Sequence, residues 1–257
     1  MRIKEIKNLD RDGSIINIRR YKYTTLKNGY TSSGILGEEP VFHMRYNLTF
    51  PGGINDSICI SSQGGFWPAS YNYNTPVVGY SMVFEETLDG NNNSAGYVRY
   101  DYSNFDTDIY GSSHLDENYI HFTATGNGGQ SKFKSRSVER GKLLAETYYD
   151  NSNNIVKKIN YRYNTTSANY SKIASQYVVT TTVGGGAHIP IGWLNKLYTY
   201  SYLKNSERDT TYAQTGTGSY HSAISYTYND HKMLKTATES LSKGGNKVTT
   251  LYYPIDV

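Results

Sequence analysis

The chain has 257 residues, with 26 Lys and Arg against 22 Asp and Glu, and a formal net charge of +4. The basic residues are dispersed among acidic ones instead of forming a stripe, which argues against nucleic acid as a partner. This length can bury a sizeable core, and no stretch approaches the ~18 consecutive apolar residues of a membrane helix, so the sequence predicts no transmembrane segment.

Tyrosine dominates the composition: the chain has 27 Tyr and 24 Gly but only 7 Phe and 2 Trp. Tyr, Thr, Val and Ile favour strands, while Gly and Asn at short intervals argue against long helices. We expect tyrosine to supply much of the core. The sequence therefore predicts an all-β fold of antiparallel hairpins that form an extended, twisted or partly coiled sheet, with long loops and almost no helix.

The first element, residues 2–25, recurs later in the chain. A shift of 140 positions aligns it without a gap with the segment that begins at residue 142. The matched positions are Asp10 with Asp150, Ile15 with Ile155, Tyr21 with Tyr161 and Tyr23 with Tyr163. The two segments are predicted to be copies of one unit.

Each copy is predicted to be a β-hairpin. The first strand ends at Leu9 or Tyr149, and the Asp that follows bonds the turn backbone with its carboxylate. Gly13 or Asn153 then reverses the chain with a positive φ. The second strand ends in Tyr-x-Tyr, and both tyrosines stand on the same face because side chains alternate with period two.

Residues 26–139 form an irregular region rich in Gly, Asn and Ser. Within it, Val77–Thr87 and Tyr97–Ser103 are predicted to be the arms of another hairpin, joined by the loop between them. Long loops in compact domains are often functional, so we expect any binding activity to lie in this region.

The chain continues past the second copy with a Gly run in "VGGGAHIPIGW", residues 183–193. This run opens no helix and lacks phosphate-loop spacing, so it indicates a flexible connection between strands and a sub-boundary near residue 185. A third, looser copy follows, in which Tyr228, Asn229 and Leu234 take the positions of Tyr149, Asp150 and Ile155, and Lys232 stands where Gly or Asn is expected. We interpret 1–257 as a single β-rich, repeat-like unit and as a segment of a larger chain.

Three turns each match part of the signature Tyr-Asp-x-x-Gly-x-Leu: "LDRDGSI" (9–15) keeps the Gly, "YDNSNNI" (149–155) keeps Tyr-Asp, and "YNDHKML" (228–234) keeps the Tyr and the Leu. This pattern resembles the YD repeat of RHS-type surface proteins, of the degenerate kind found in Bacteroidota. The resemblance implies long β-hairpins coiled into an open sheet or shell, with a structural role that sometimes includes enclosing another polypeptide. It implies neither catalysis nor a cofactor.

A metal site is the first chemical alternative. Imidazoles and carboxylates cluster at Asp106, Asp108, His114, Asp116, Glu117 and His121. Their spacing does not match a helical His-Glu-x-x-His motif, so we favour a solvated loop and predict no metal. Similarly, "DRDGS" at 10–14 begins like a calcium loop but lacks the later acidic ligands, which favours a hairpin turn.

Catalytic patterns are also missing from the sequence. There is no Gly-x-Ser-x-Gly turn, and Cys59 has no partner His that the sequence can place beside it. The sequence therefore predicts no catalytic residue and no cofactor.

Two functional hypotheses remain. The favoured one is a non-catalytic structural and interaction scaffold of a secreted or cell-surface, outer-membrane-associated protein, whose signal lies outside this numbering and whose partner is another polypeptide or another stretch of its own chain. The alternative is a carbohydrate-binding module that binds a polysaccharide through exposed aromatic residues. Its candidate ligand-binding residues are Phe66, Trp67, Tyr71, Tyr73 and Trp193.

Overall fold

The computed structural model describes residues 2–36, 43–49, 55–61, 78–115, 120–123, 136–164, 172–183, 187–198, 201–213, 218–241 and 244–254. The strands, in chain order, are β1 (Glu5–Leu9), β2 (Ile15–Lys22), β3 (Gly34–Leu36), β4 (His43–Thr49), β5 (Asn55–Ser61), β6 (Val78–Tyr80), β7 (Met82–Asp89), β8 (Ser94–Tyr102), β9 (Ile120–Thr123), β10 (Leu143–Tyr149), β11 (Ile155–Tyr163), β12 (Lys172–Val183), β13 (Ala187–Tyr198), β14 (Lys204–Tyr212), β15 (Ser219–Tyr228), β16 (Leu234–Ser240) and β17 (Asn246–Thr250). The helical content of these residues is one 3₁₀ turn, Ser137–Glu139.

Ten strands form one antiparallel sheet in the order β1-β2-β7-β8-β10-β11-β14-β15-β16-β17. Smaller sheets have the orders β12-β13-β9, β3-β6 and β4-β5. The three glycines of residues 184–186 stand in the sequence between β12 and β13, which pair with each other along their length. The prediction of an all-β fold with antiparallel hairpins, a large sheet, long loops and almost no helix is confirmed.

The two sequence copies form the same hairpin. Leu9 pairs with Ile15 and Tyr149 pairs with Ile155, in each case directly after a register shift. Such a shift marks a β-bulge, which increases the local twist of the strand pair. The same residue spacing in the two copies has therefore produced a β-bulge at the same position of each hairpin.

The last tyrosine of each copy makes the same hydrogen bond. The Tyr23 hydroxyl donates to the Ile3 carbonyl over 3.0 Å, and the Tyr163 hydroxyl donates to the Leu143 carbonyl over 3.0 Å. The acceptors are themselves 140 positions apart. The second ring of Tyr-x-Tyr thus fastens the end of one strand to the beginning of its neighbour.

Six turns of the described chain share one backbone geometry. In each, the N–H of the first residue donates to the carbonyl four residues on, and its own carbonyl accepts from the N–H three residues on. The first residues are Asp10, Asp89, Asp108, Asp150, Asn229 and Leu241, and the fourth residues, all with positive φ, are Gly13, Asn92, Gly111, Asn153, Lys232 and Gly244. This is a type I turn followed by a left-handed residue, the usual three-residue hairpin connection.

The first side chain of the turn explains why Asp or Asn stands there. Asp150 Oδ1 accepts the backbone N–H groups of Ser152 and Asn154, and Asn229 Oδ1 accepts that of Met233. In "DRDGS" the carboxylates of Asp10 and Asp12 likewise accept backbone N–H groups of the turn. These oxygens satisfy amides that would otherwise compete with the strand ladder.

The hairpin expected within residues 77–103 is present with a tighter loop than predicted. Its arms run to Asp89 and start again at Ser94, so most of the supposed loop belongs to the strands. The cause is Asp89, whose Oδ1 accepts the N–H groups of Asn91 and Asn93 and closes the same turn as in the repeat copies. The alignment of the repeat copies does not include this turn, because the strands that flank it differ in sequence from those of the other copies.

Among the six turn residues with positive φ, Lys232 has the least favourable residue type. Its φ of 64° lies in the left-handed region, which Gly and Asn adopt more easily than Lys. A left-handed conformation costs an ordinary residue about 1 to 2 kcal/mol, and Asn pays less of this penalty. Lys232→Asn is therefore expected to raise the free energy of unfolding by about 1 kcal/mol, measured by urea denaturation. His231→Asn, one residue earlier in the same turn, should leave it unchanged, and an equal gain in both variants would contradict the conformational explanation.

One face of the large sheet carries the core. Its buried apolar residues include Ile18, Phe84, Leu88 and Ala145. Lys27 covers part of this face, with its Nζ 3.1 Å from Glu86 Oε1 and 4.0 Å from the Tyr97 ring centroid. Among the described tyrosines only Tyr97 and Tyr202 are buried. Tyrosine therefore supplies two of the eight buried apolar residues in the described part of the chain, and aliphatic residues and Phe supply the others.

Candidate functional site

The opposite face of the large sheet collects the Tyr-x-Tyr residues of several strands. Residues that stand directly opposite each other on neighbouring strands have their side chains on the same face of the sheet. Three such pairs assign this face: Tyr21 with Glu85, Tyr100 with Glu146, and Tyr161 with Glu207. We call this surface the tyrosine face: Tyr21, Tyr23, Glu85, Tyr100, Tyr102, Glu146, Tyr148, Tyr161, Tyr163, Glu207, Tyr226 and Tyr228. All of its members are half-buried.

The residue between the two tyrosines points the other way. Arg162 lies between Tyr161 and Tyr163, and its guanidinium carbon is 3.4 Å from the ring centroid of Tyr110. Lys22, its counterpart in the first copy, pairs across the ladder with Phe84 of the core face. Strand alternation therefore places Lys22 and Arg162 on the face opposite to the tyrosines that flank them in the sequence, as the Tyr-x-Tyr pattern predicts.

Carboxylates fix the orientation of the rings on the tyrosine face. Glu146 accepts the hydroxyl of Tyr148 over 2.5 Å and that of Tyr161 over 2.8 Å. Lys204 pairs with Glu207 over 2.7 Å, and its Nζ lies 5.2 Å from the Tyr161 ring centroid. Rings held in this way lose little conformational entropy when they bind a ligand.

Three phenols of this face, those of Tyr100, Tyr148 and Tyr161, are held in the neutral form. Burial, reinforced by the charges of Glu85 and Glu146, raises the pKa of Tyr100 well above its usual value. Burial and the bond to Glu146 raise the pKa of Tyr148 to about 12 and raise that of Tyr161 as well. A neutral phenol donates and accepts hydrogen bonds, which suits recognition of peptide or hydroxyl groups better than nucleophilic chemistry.

A groove of about 540 Å³ lies on the tyrosine face and is lined in part by Tyr100 and Tyr102. The ring centroids of Tyr23 and Tyr80 are 4.9 Å apart, and the Arg2 guanidinium carbon is 5.5 Å from both. Aromatic rings with a few convergent polar groups are the usual lining of a binding groove. The groove makes this part of the tyrosine face the best candidate binding site in the described residues.

A second cluster surrounds His114, which is 1 % exposed. Its Nδ1 is 2.7 Å from Glu139 Oε2, and its Nε2 is 2.9 Å from Asp108 Oδ2. Arg136 Nη1 lies 3.7 Å from the same Glu139 oxygen, and Arg140 Nη1 donates to the His114 carbonyl over 3.0 Å. The histidine therefore joins two loops through buried polar bonds.

The pKa of His114 is raised above its usual value. Burial opposes the charged imidazolium, but the bonds to Glu139 and Asp108 and the charges of those two carboxylates outweigh burial. An imidazolium can donate from both nitrogens at once, which the geometry requires if both carboxylates are ionised. We therefore expect the cluster to act as an ion network that stabilises the fold.

The expectation of a solvated loop is wrong for His114, which is buried, and for the side chain of Asp108, which is almost inaccessible to solvent. Asp108 begins one of the shared turns, and Glu139 closes over the imidazole. Asp106 accepts the Ser81 hydroxyl. Asp116 and Glu117 lie outside the described residues. Among the residues that the structure describes, no group of three or more His, Cys, Asp or Glu side chains could hold a metal ion.

The proposed sugar-stacking residues are not brought to this face by anything the structure describes. Phe66, Trp67, Tyr71 and Tyr73 lie outside the described residues. Trp193 stands on β13, where its backbone pairs with Tyr177 and His121, and its side chain lies outside the described part. The tyrosine groove itself was missed by sequence reasoning, because it is formed by tyrosines that had been assigned to strand packing.

No helix among the described residues is long and apolar enough to cross a membrane. Comparison with protein-family models, with curated proteins and with solved structures gives no match.

Proposed function

We propose that the chain is a non-catalytic structural and interaction scaffold of a secreted or cell-surface protein, and that its tyrosine face holds an extended segment of another polypeptide. The observation that carries the proposal is the row of neutral, half-buried tyrosines that occupies one face of the large sheet. The core face already has its own buried apolar residues. The groove lined in part by Tyr100 and Tyr102 leaves room on the tyrosine face for a partner.

The chemistry of the row fits a polypeptide. A Tyr ring offers a broad apolar surface together with one polar end, so it can cover a side chain and bond a peptide group at once. The carboxylate of Glu146 holds the Tyr148 and Tyr161 rings in place before a partner arrives. An extended segment would match the row because its own side chains also alternate with period two.

Kinship with YD-repeat proteins is part of the same proposal. Its support is the turn that recurs six times in the described chain with the same backbone bonds, mostly under an Asp or Asn side chain. In this proposal the repeats form the structural frame, and the long connections between them carry variable contacts. The tyrosine-rich composition and the single Cys59 are compatible with a surface location.

Selection from a displayed peptide library on the purified chain tests the proposal. Selected peptides are expected to lose about tenfold in affinity, about 1.4 kcal/mol, on Tyr100→Ala or Tyr161→Ala. The control is Tyr30→Ala, since Tyr30 lies outside the tyrosine face and is fully exposed. Tyr161→Phe separates the hydroxyl from the ring, and an intermediate loss is expected.

Two results would overturn the proposal. If no peptide is enriched and a glycan array gives binding that Trp67→Ala and Trp193→Ala abolish, the carbohydrate-binding interpretation takes its place. If peptides are enriched but bind the Tyr100 and Tyr161 variants as tightly as the parent chain, the tyrosine face is not the holding surface.

A further inference from the structure

The outer edge of β1 is open among the described strands, whereas the same edge of its repeat copy is occupied. β10 is the copy of β1, and it pairs with β11 on one side and with β8 on the other. β1 pairs with β2, and no other described strand pairs with it. The internal copy thus shows what this edge accepts, which is an antiparallel strand.

Apolar side chains of β1 and of the residues just before it are exposed. In the second copy, the equivalent strand β10 pairs with β8 on this side. Leu9 is the counterpart of Tyr149, which pairs with Tyr97 of β8 and stacks on it with ring centroids 4.4 Å apart. Leu9 is 57 % exposed, and Ile3, the counterpart of Leu143, is 56 % exposed. A strand placed on β1 as β8 is placed on β10 would cover Leu9 in the same way.

The other margin of the large sheet offers such a strand. β17 pairs with β16, and no other described strand pairs with it. Like β8, it is the returning strand of a hairpin with the shared turn geometry, here begun by Leu241. Val248 is 57 % exposed and Leu251 is 40 % exposed. Both margins therefore combine open backbone groups with exposed apolar side chains.

We propose that β17 of one copy adds antiparallel to β1 of a second copy, so that the large sheet continues from molecule to molecule. This interaction goes beyond the holding of a segment on the tyrosine face and uses different residues. Because it joins two different edges, it is head-to-tail and repeats without closing unless a ring forms. Added strands gain main-chain hydrogen bonds along the whole edge.

The backbone bonds fix which groups face outward. The Tyr21 N–H donates to the Lys4 carbonyl over 2.9 Å, so by alternation the backbone groups of Lys7 point away from β2. The Leu251 N–H donates to the Lys235 carbonyl over 2.9 Å, so those of Val248 point away from β16. Outward residues of the two edges can therefore face each other as hydrogen-bonded pairs.

One register between β1 and β17 pairs their outward backbone groups and also brings matching side chains together. With Lys7 opposite Thr250, Leu9 lies opposite Val248 and covers it. The same register places Lys247 opposite Asp10, which pairs opposite charges. The ammonium of Lys7 is already offset by Glu5 on its own strand, over 3.3 Å. A contact of this length buries little area, so the association is weak and depends on concentration.

Sedimentation velocity of the whole chain over a wide concentration range tests the inference. The parent chain is expected to form a series of oligomers as its concentration rises. Lys7→Pro and Val248→Pro each remove one outward N–H and no bond within the sheet, so each variant should remain monomeric. Lys7→Ala and Val248→Ala keep the N–H and should associate, with Val248→Ala weaker than the parent.

Mixing the two proline variants separates head-to-tail addition from other modes. Lys7→Pro keeps a working β17 and Val248→Pro keeps a working β1, so an equimolar mixture should form a dimer and nothing larger. A parent chain that stays monomeric at every concentration, a proline variant that still associates, or a mixture that stays monomeric would overturn the inference. If a proline variant fails to fold, Leu9→Lys and Val248→Lys replace the pair with the same expected results.

Discussion

His114→Ala is expected to lower the free energy of unfolding by about 3 to 5 kcal/mol, because it leaves the Asp108 and Glu139 carboxylates buried without the cation between them. The midpoint of urea denaturation at fixed pH measures this loss. The matched control is His231→Gln, since His231 is exposed in a hairpin turn and should tolerate replacement. A loss no larger than that of the control would show that the cluster does not stabilise the fold.

The loss should also depend on pH in a defined direction. The bonds to Glu139 and Asp108 raise the pKa of His114 against the effect of burial, so the folded state binds its proton more tightly than the unfolded state. The stabilisation is then complete below the ordinary pKa of 6.5 and decreases as pH rises through the raised native value. The difference between the parent and His114→Ala should therefore shrink on the alkaline side. A difference that grows there would contradict the charged imidazolium.

Gly96→Ala is expected to lower the free energy of unfolding by about 2 to 5 kcal/mol. Gly96 has a φ of +121°, and a Cβ at this position would collide with the Tyr149 carbonyl oxygen. The residue lies where β8 meets β10, so relief of the collision would open the central pairing of the large sheet. Thermal and urea unfolding of the variant measure the effect.

Gly13→Ala is the matched control for this change. Gly13 also has a positive φ, +86°, but no atom lies within 4 Å of a Cβ built there. Its replacement should therefore cost the conformational part alone, about 1 to 2 kcal/mol. Equal losses at the two positions would show that the close approach of Gly96 to β10 contributes nothing.

The hairpins could be predicted because their signals are local. Asp10 and Asp150 with Gly13 and Asn153 define a turn within five residues, and Tyr-x-Tyr defines a face within three. Because residues 2–25 align with their copy without a gap, the two hairpins are also expected to share one strand register. The structure has the same β-bulge in both. The turn at Asn229 forms although Lys232 stands where Gly or Asn is expected. The pairing of the strands on either side imposes the positive φ on Lys232.

The buried cluster could not be predicted because its partners are distant in sequence. His114 and Glu139 are 25 residues apart and meet through a turn and a 3₁₀ turn that no periodic pattern announces. The near neighbours Asp116 and Glu117 looked like better partners on spacing alone. For a related reason, the sequence could not tell which tyrosines are buried, such as Tyr97 and Tyr202, and which are half-buried. A period-two pattern places rings on one face of a strand but does not show how far that face is covered.

Because the ten strands stand in a single row, each of the eight inner strands shares its backbone bonds with a neighbour on both sides, whereas β1 and β17 each have one neighbour in the sheet. Such an array loosens from its margins inward, as stacked repeat proteins do. Its middle, where Asp101, Ala145 and Thr147 are almost inaccessible to solvent, is the last part to open. Hydrogen exchange is therefore expected to be slowest at the centre of the row and to become faster toward β1 and β17.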